Sequence, residues 1–286
     1  NINTVITKSG NYLLSILNTD DDVIFTRRFV LYEPSTTLGV TVERSRNSKT
    51  LNTQQTIEFI INHPKIKINN PAQEVHVVIL KNNNWEEKIT NLQPTFFRPN
   101  QLSYTYTNKT NFWGGNEYLN FDNKLIRKNT SLNVVKIIKK DIFHHYLYPF
   151  EFNPFRKYSY NPDINGQFVI RTLEAKDSKT EADYAMIHFT LSVEEAFSER
   201  EVYVYGAFND FKITDENKMY FDPEERAYKA NILLKQGFYN YTFATKETNG
   251  NINTNDVNGS FYETENEYTV IVYYKPFGSF FERVVG

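Results

Sequence analysis

The chain has 286 residues, with 32 Lys and Arg against 34 Asp and Glu, a formal net charge of −2. That balance argues against a nucleic-acid partner, which calls for a basic excess, and the lack of any cysteine excludes a disulfide framework, a thiolate metal site and a cysteine nucleophile. No apolar run approaches the roughly 18 residues of a membrane-spanning helix, and an aromatic content of 16% with abundant Asn is the composition of an all-β protein.

The chain opens NINTVITKSG, without Met and without a charged-then-apolar leader, as a mature product or a fragment would. Residues 1–36 hold two strands, 9–17 and 26–33, joined by the acidic turn NTDDDV. A lone hairpin is marginal in water. These residues are therefore expected to be the trailing hairpin of an N-terminal β-sandwich whose earlier strands lie upstream, with Pro34 as the hinge into the next domain.

Residues 37–160 read as a middle β-sandwich. Its expected strands are 38–45, 56–62, 74–81, 102–107, 117–123, 131–139 and 144–150, mostly separated by turn clusters such as KNNNW and FRPNQ. Ile57, Phe59 and Ile61 alternate with Thr56 and Glu58, the period of a strand with one face on a core. Residues 153–166, with two prolines and a glycine, read as a linker.

Residues 161–286 read as a C-terminal sandwich. Ala185, Ile187, Phe189 and Leu191 share one face, and 201–206, 229–234, 238–243 and 267–274 alternate in the same way. Regular short strands with turn signals between them argue for consecutive immunoglobulin-like β-sandwich domains. Only residues 192–200 suggest helix, of one or two turns at most.

The five histidines carry no zinc spacing. His144 and His145 are adjacent and point to opposite faces of a strand, while His63, His76 and His188 are isolated in sequence. No G-x-S-x-G, H-E-x-x-H or P-loop is present. Glu117 and Asp122 are the nearest pair for two-carboxylate chemistry, and the plainer reading has them bonded to backbone or to an arginine near a turn. In NFWGG, Gly114 and Gly115 permit a tight turn. Phe112, Trp113, Gly114 and Gly115 then form either a protein-docking loop or a hairpin whose Trp113 folds back on the core.

The stretch VYVYGAFNDF, followed by MYFDPEERAYKANILLKQGFYNYTF, resembles the early-set sandwich of starch- and glycogen-binding modules. Such modules stack an indole on a pyranose ring. Here Phe211 stands at the tryptophan position, and the two tryptophans, Trp85 and Trp113, lie in the middle domain. A phenyl face stacks more weakly and donates no N–H.

Several longer phrases recur in order: SGNYLLSI, TRRFVLYE, NEYLNFD, DINGQFVI, ADYAMIHFTL, VYVYGAFNDF, LLKQGFYNYTF, NGSFYETENEYTVIVYY and GSFFERVVG. Together they closely resemble a Bacteroidetes family, once known only as a domain of unknown function, now associated with the plug protein of the type IX secretion system. The resemblance covers essentially the whole chain. It implies a non-enzymatic periplasmic plug that binds a large outer-membrane β-barrel translocon and closes its periplasmic opening. It brings no catalytic, cofactor or metal residues, no small-molecule substrate and no membrane span of its own. The alternative function is that of a carbohydrate-binding module protein.

Overall fold

In the computed structural model, residues 5–128, 132–153 and 155–286 are described. Expectations that touch the remaining positions, at the start of 1–36, at Ser131 and at Pro154, lie outside the described residues there. Among the described residues the strands form four sheets, and helix is limited to single turns such as Pro71–Glu74 and Ser178–Glu181. The fold is all-β. Residues 193–199 form bends rather than a helix. The Phe197 N–H donates to the Tyr228 hydroxyl (2.8 Å), and the Phe197 ring stacks on Tyr228, so a side-chain anchor replaces the helical ladder.

The chain begins with a two-stranded ribbon, β1 (Gly10–Leu17) and β2 (Val23–Leu31), in antiparallel register. Its turn is set by Asn18, whose Oδ1 accepts the N–H groups of Asp20 and Asp22, a side-chain mimic of a backbone turn.

A first body follows. One sheet contains β3 (Thr37–Arg44) and β4 (Gln54–Asn62). The facing sheet contains β5 (Val75–Lys81) and β6 (Asn84–Ile89). The short strands β7 (Phe96–Arg98), β8 (Gln101–Tyr104) and β9 (Asn111–Trp113) extend the first sheet. Asn82 and Asn83 both take positive φ, at 54° and 58°, the conformation of the tight turn that matches strand twist and the reason for Asn there. Ile57, Phe59 and Ile61 of β4 meet Val75, Val77 and Ile79 of β5 in one core, where Phe59 stacks on Tyr104 at 4.4 Å.

The second body is a single folded sheet. Its strands are β10 (Leu119–Asp122), β11 (Val134–Lys139), β12 (Phe143–Leu147), β13 (Phe150–Glu151), β14 (Phe168–Ile170), β15 (Tyr184–Ser192), β16 (Arg200–Tyr205), β17 (Lys218–Asp222), β18 (Ala227–Lys235), β19 (Gly237–Glu247) and β20 (Ile252–Asn253). The main path runs β10-β19-β16-β17-β18-β15-β12-β11. The β16–β17 link is only two residue pairs long, and the sheet wraps around one aromatic core. Phe121 of β10 stacks on Tyr239 (5.1 Å) and meets Phe189 of β15 edge-on (5.9 Å), so strands far apart in the path face one another.

The chain then returns. β21 (Tyr268–Tyr274) pairs with β5 along its whole length, and β22 (Arg283–Val284) pairs with β21. The pairings therefore cut across the expected boundary at 160/161. Residues 119–151 build the second body with 168–253, and 268–284 complete the first. The reason is burial. Val272 and Tyr274 join the first core, while Ile271 and Tyr273 on the opposite face pack with Leu80, Val284 and Val30 of the ribbon. A strand apolar on both faces needs a partner layer on each side; the first core supplies one and the ribbon the other.

Candidate functional site

Glu117 is buried and accepts a hydrogen bond from the Tyr158 hydroxyl (2.7 Å) and one from the Glu265 N–H (3.3 Å). Asp122 is buried and pairs with Arg171 and with Lys124 (3.1 Å). Each carboxylate of the sequence-level pair is thus bonded to structural groups of its own. Nearby, Asp163 accepts N–H groups from Tyr118 and Asn165. Burial, the largest cause, pushes its carboxyl up to about 6, with Glu117 and Glu265 adding to the rise.

The histidines are placed more closely than sequence spacing suggests. His144 and His145 do point to opposite faces. His145 is buried, with Nε2 2.9 Å from the Ile126 carbonyl oxygen, and burial lowers its pKa. His188 is not isolated: its Nε2 lies 2.9 Å from Nδ1 of His144, and its ring stacks on Tyr146 at 4.0 Å. Desolvation first, and the neighbouring His144 second, bring His188 down to about 4. The parallel pairing of β12 with β15 makes this contact, and spacing alone could not show it. Among the described residues no group of three or more His, Asp or Glu is arranged to hold a metal.

The NFWGG loop divides its residues between two roles. Phe112 is buried in the first core, so it is not a surface residue. Trp113 is 47% exposed, and its carbonyl accepts from Lys81 Nζ (2.9 Å). Gly114 packs so closely against the segment entering β21 that an added Cβ would sit 1.9 Å from the Phe261 carbonyl oxygen. Gly115 has φ +69°, and its carbonyl accepts from Phe261 N–H and Thr264 Oγ. The glycines therefore serve an internal joint, and only Trp113 is presented outward.

That joint uses the asparagines. Asn84 donates to the Tyr205 hydroxyl (3.1 Å), Gln167 to the Asn82 carbonyl (3.1 Å), and Asn116 to the Asn258 carbonyl (2.8 Å). Gln55 donates to the carbonyls of Tyr262 and Thr264 and accepts from Tyr268 and Asn266. Asn82, Asn84, Asn240 and Asn258 are all buried. A buried amide needs partners for both donor and acceptor, and this seam supplies them to the carbonyls of irregular segments. Some of the asparagines that composition assigns to turns thus also serve an interface between the two bodies.

The same seam accounts for part of VYVYGAFNDFK, at Tyr205. Alternation implies one exposed face, yet Tyr203 and Tyr205 are buried along with Val202 and Val204. Tyr205, Phe211 and Ala244 form a small cluster on the side of the first body. Phe211 is 4% exposed and packs on Tyr205 at 5.4 Å. Its ring presents no open face for stacking a sugar.

Two surface features stand out. A groove of about 780 Å³ runs between the ribbon, the outer face of β5 and β21, and the 207–212 loop, with Trp85, Phe29 and Arg28 among its walls. The second is the turn KPFGSFFE between β21 and β22, where Phe277 and Phe280 are 93% and 101% exposed. Gly278, at φ +82°, closes this turn. A pair of aromatics flanking Gly-Ser, outside any alternation, was the signal in the sequence for such a knob.

No protein-family model matches the chain, and no curated protein does. A solved structure does: a hypothetical protein from Parabacteroides merdae, 31% identical, with a TM-score of 0.92 over 98% of this chain and 71% of the other. The chain belongs to the family of that protein. The likeness fixes the fold and a Bacteroidetes relative of greater length. No helix of the described residues is long and apolar enough to cross a membrane.

Proposed function

We propose that this protein is a non-enzymatic periplasmic plug that binds a large outer-membrane β-barrel translocon of the type IX secretion system and closes its periplasmic opening. What supports the reading is the ordered run of phrases, across the whole chain, that resembles that family. The kinship with a Bacteroidetes protein of the same fold is consistent with it.

The physical form supports the task. Two chain crossings and the asparagine seam join the bodies, so the obstructing object is larger than one sandwich. A compact chain of 286 residues has a radius of gyration of about 19 Å, hence a width of roughly 45–50 Å. A stiff body of that size blocks a wide lumen far better than flexible chain does. Reversible closure needs a moderate interface with a few aromatic anchors and a wet polar rim. Phe277 and Phe280 supply fully exposed anchors, and Trp113 offers a further one.

Affinity capture from outer membranes tests the proposal. Tagged protein is expected to bring down one large β-barrel protein reproducibly. If no such barrel is recovered under conditions that preserve other outer-membrane complexes, the reading fails. The carbohydrate alternative has a buried Phe211 against it, and calorimetry with maltooligosaccharides is expected to give no heat of binding.

A further inference from the structure

The ribbon presents a second interaction surface. Its two faces differ. Asn11, Leu13, Thr26, Arg28 and Val30 look toward the first body. There the Tyr273 hydroxyl donates to Asn11 Oδ1 (3.0 Å), Arg28 lies over the Trp85 ring (4.5 Å), and Val30 joins the Leu80–Ile271 cluster. Tyr12, Leu14, Ile16, Phe25 and Phe29 share the opposite face, as the register Tyr12↔Phe29, Leu14↔Arg27 and Ile16↔Phe25 requires. Leu14, Ile16, Phe25 and Phe29 are all exposed, Tyr12 is half-buried and stacks on Phe29 (5.4 Å), and Phe29 also borders the groove beside the 207–212 loop. The one charge on this face, Arg27, is drawn aside to Asp210 at 3.2 Å.

Among the described residues, β1 and β2 pair only with each other, so each keeps an open edge. A two-stranded ribbon with an apolar face in water has little to hold it in place, and long apolar edges invite pairing with other chains. Soluble proteins cover such faces. The relative indicates with what. Ninety-eight per cent of 286 residues, taken as 71% of the related chain, makes that chain about 395 residues long, about 115 beyond the aligned part. A β-sandwich domain takes about 100 residues.

We propose that, in the complete polypeptide, the Tyr12–Leu14–Ile16–Phe25–Phe29 face is one wall of a further β-sandwich, whose other strands come from residues outside these 286 and add to the open edges of β1 and β2. The ribbon is then shared between two units. One face closes the added core, and the other anchors that core to the first body through Val30, Asn11 and Arg28. The added domain is held at a fixed angle rather than swinging on a linker.

Hydrogen exchange on the whole gene product and on the 286-residue chain tests this. The amides of residues 12–17 and 25–31 are expected to exchange at least 100-fold more slowly in the whole product. Equal rates in the two proteins, or a gene product without a further domain-sized segment, would overturn the proposal. A second test uses Leu14→Lys with Phe25→Lys. The double change is expected to lower the melting temperature of the whole product by several degrees and leave that of the 286-residue chain unchanged. If instead the wild-type whole product is a dimer that this double change converts to monomer, the face is covered by a second copy and the proposal is wrong.

Discussion

Replacing Gly114 with alanine tests whether the two bodies are locked by close backbone contact. The new Cβ would lie 1.9 Å from the Phe261 carbonyl oxygen, against a floor of 3.0 Å for real Cβ contacts, so the two segments must part by at least 1.1 Å. That displacement acts on a cluster of short hydrogen bonds: Gly114 N–H to Thr53 O (2.9 Å), Phe261 N–H to Gly115 O (2.8 Å) and Asn266 Nδ2 to Gly114 O (2.8 Å). Overpacking costs about 1–3 kcal/mol, and each buried group left unpaired adds about 1–3 kcal/mol. A loss of about 4 kcal/mol is expected in urea unfolding followed by tryptophan fluorescence, with Trp113 next to the perturbation. Gly115→Ala is the control. Its φ of +69° disfavours a side chain, but nothing lies within 4 Å of the added atom, so a cost of about 1–2 kcal/mol is expected. If Gly114→Ala costs no more than Gly115→Ala, close approach at the joint is not what holds the bodies together.

Tyr205→Phe removes the hydroxyl that Asn84 donates to inside the seam; about 1–2 kcal/mol of destabilisation is expected from chemical denaturation, and an unchanged midpoint would show that the bond contributes nothing. Between pH 4 and 6 two groups act in opposite directions. Asp163, raised to about 6 from 3.8, stabilises the fold below its unfolded value and loses that contribution as pH rises through 6. His188, lowered to about 4 from 6.5, stabilises above its unfolded value and loses that contribution as pH falls toward 4. His145, whose pKa burial also lowers, acts in the same direction as His188, so His188→Gln is expected to tilt the stability profile between pH 4 and 6 toward decline relative to the parent; an unchanged slope would contradict the assignment. Phe277→Ala with Phe280→Ala is expected to leave the melting temperature within a degree, because both rings are in solvent, while reducing capture of the outer-membrane barrel at least tenfold; undiminished capture would remove the turn from the interface.

Much of the local structure was legible from alternation. Ile57, Phe59 and Ile61, and Ala185, Ile187, Phe189 and Leu191, all point into cores as their period requires. The ribbon was legible from its acidic turn and flanking runs. What alternation does not encode is which strand pairs with which. β21 follows β20 by 14 residues yet pairs with β5, nearly 200 residues earlier, because its two apolar faces are satisfied only between the first core and the ribbon. β10 leaves the first body for the same kind of reason: Phe121 finds Tyr239 and Phe189. The buried Tyr203 and Tyr205 show a related limit. A polar-looking face can be buried when its hydroxyls find partners, Tyr203 with Glu201 on its own strand and Tyr205 with Asn84 on the other body, and Asn84, 121 residues away, is invisible to local pattern. Of the candidate loop, Gly115 takes the positive φ that its residue type permits, but residues 114–118 run as an irregular connector between the two bodies rather than as a tight turn, and the close contact of Gly114 with Phe261 depends on the returning segment. Phe280 lies in the phrase GSFFERVVG and Phe277 just before it; the Gly-Ser between them was the sequence signal, and their exposure makes it count.

The proposed function is to fill space at an outer-membrane opening. Outer-membrane permeability of cells lacking the gene addresses this most directly, by following escape of a folded periplasmic reporter. The account expects the reporter to leak from the deletion strain, and leakage to stop when the wild-type gene is returned. A deletion strain whose outer membrane stays as tight as its parent's, with the translocon present at normal levels, would contradict it.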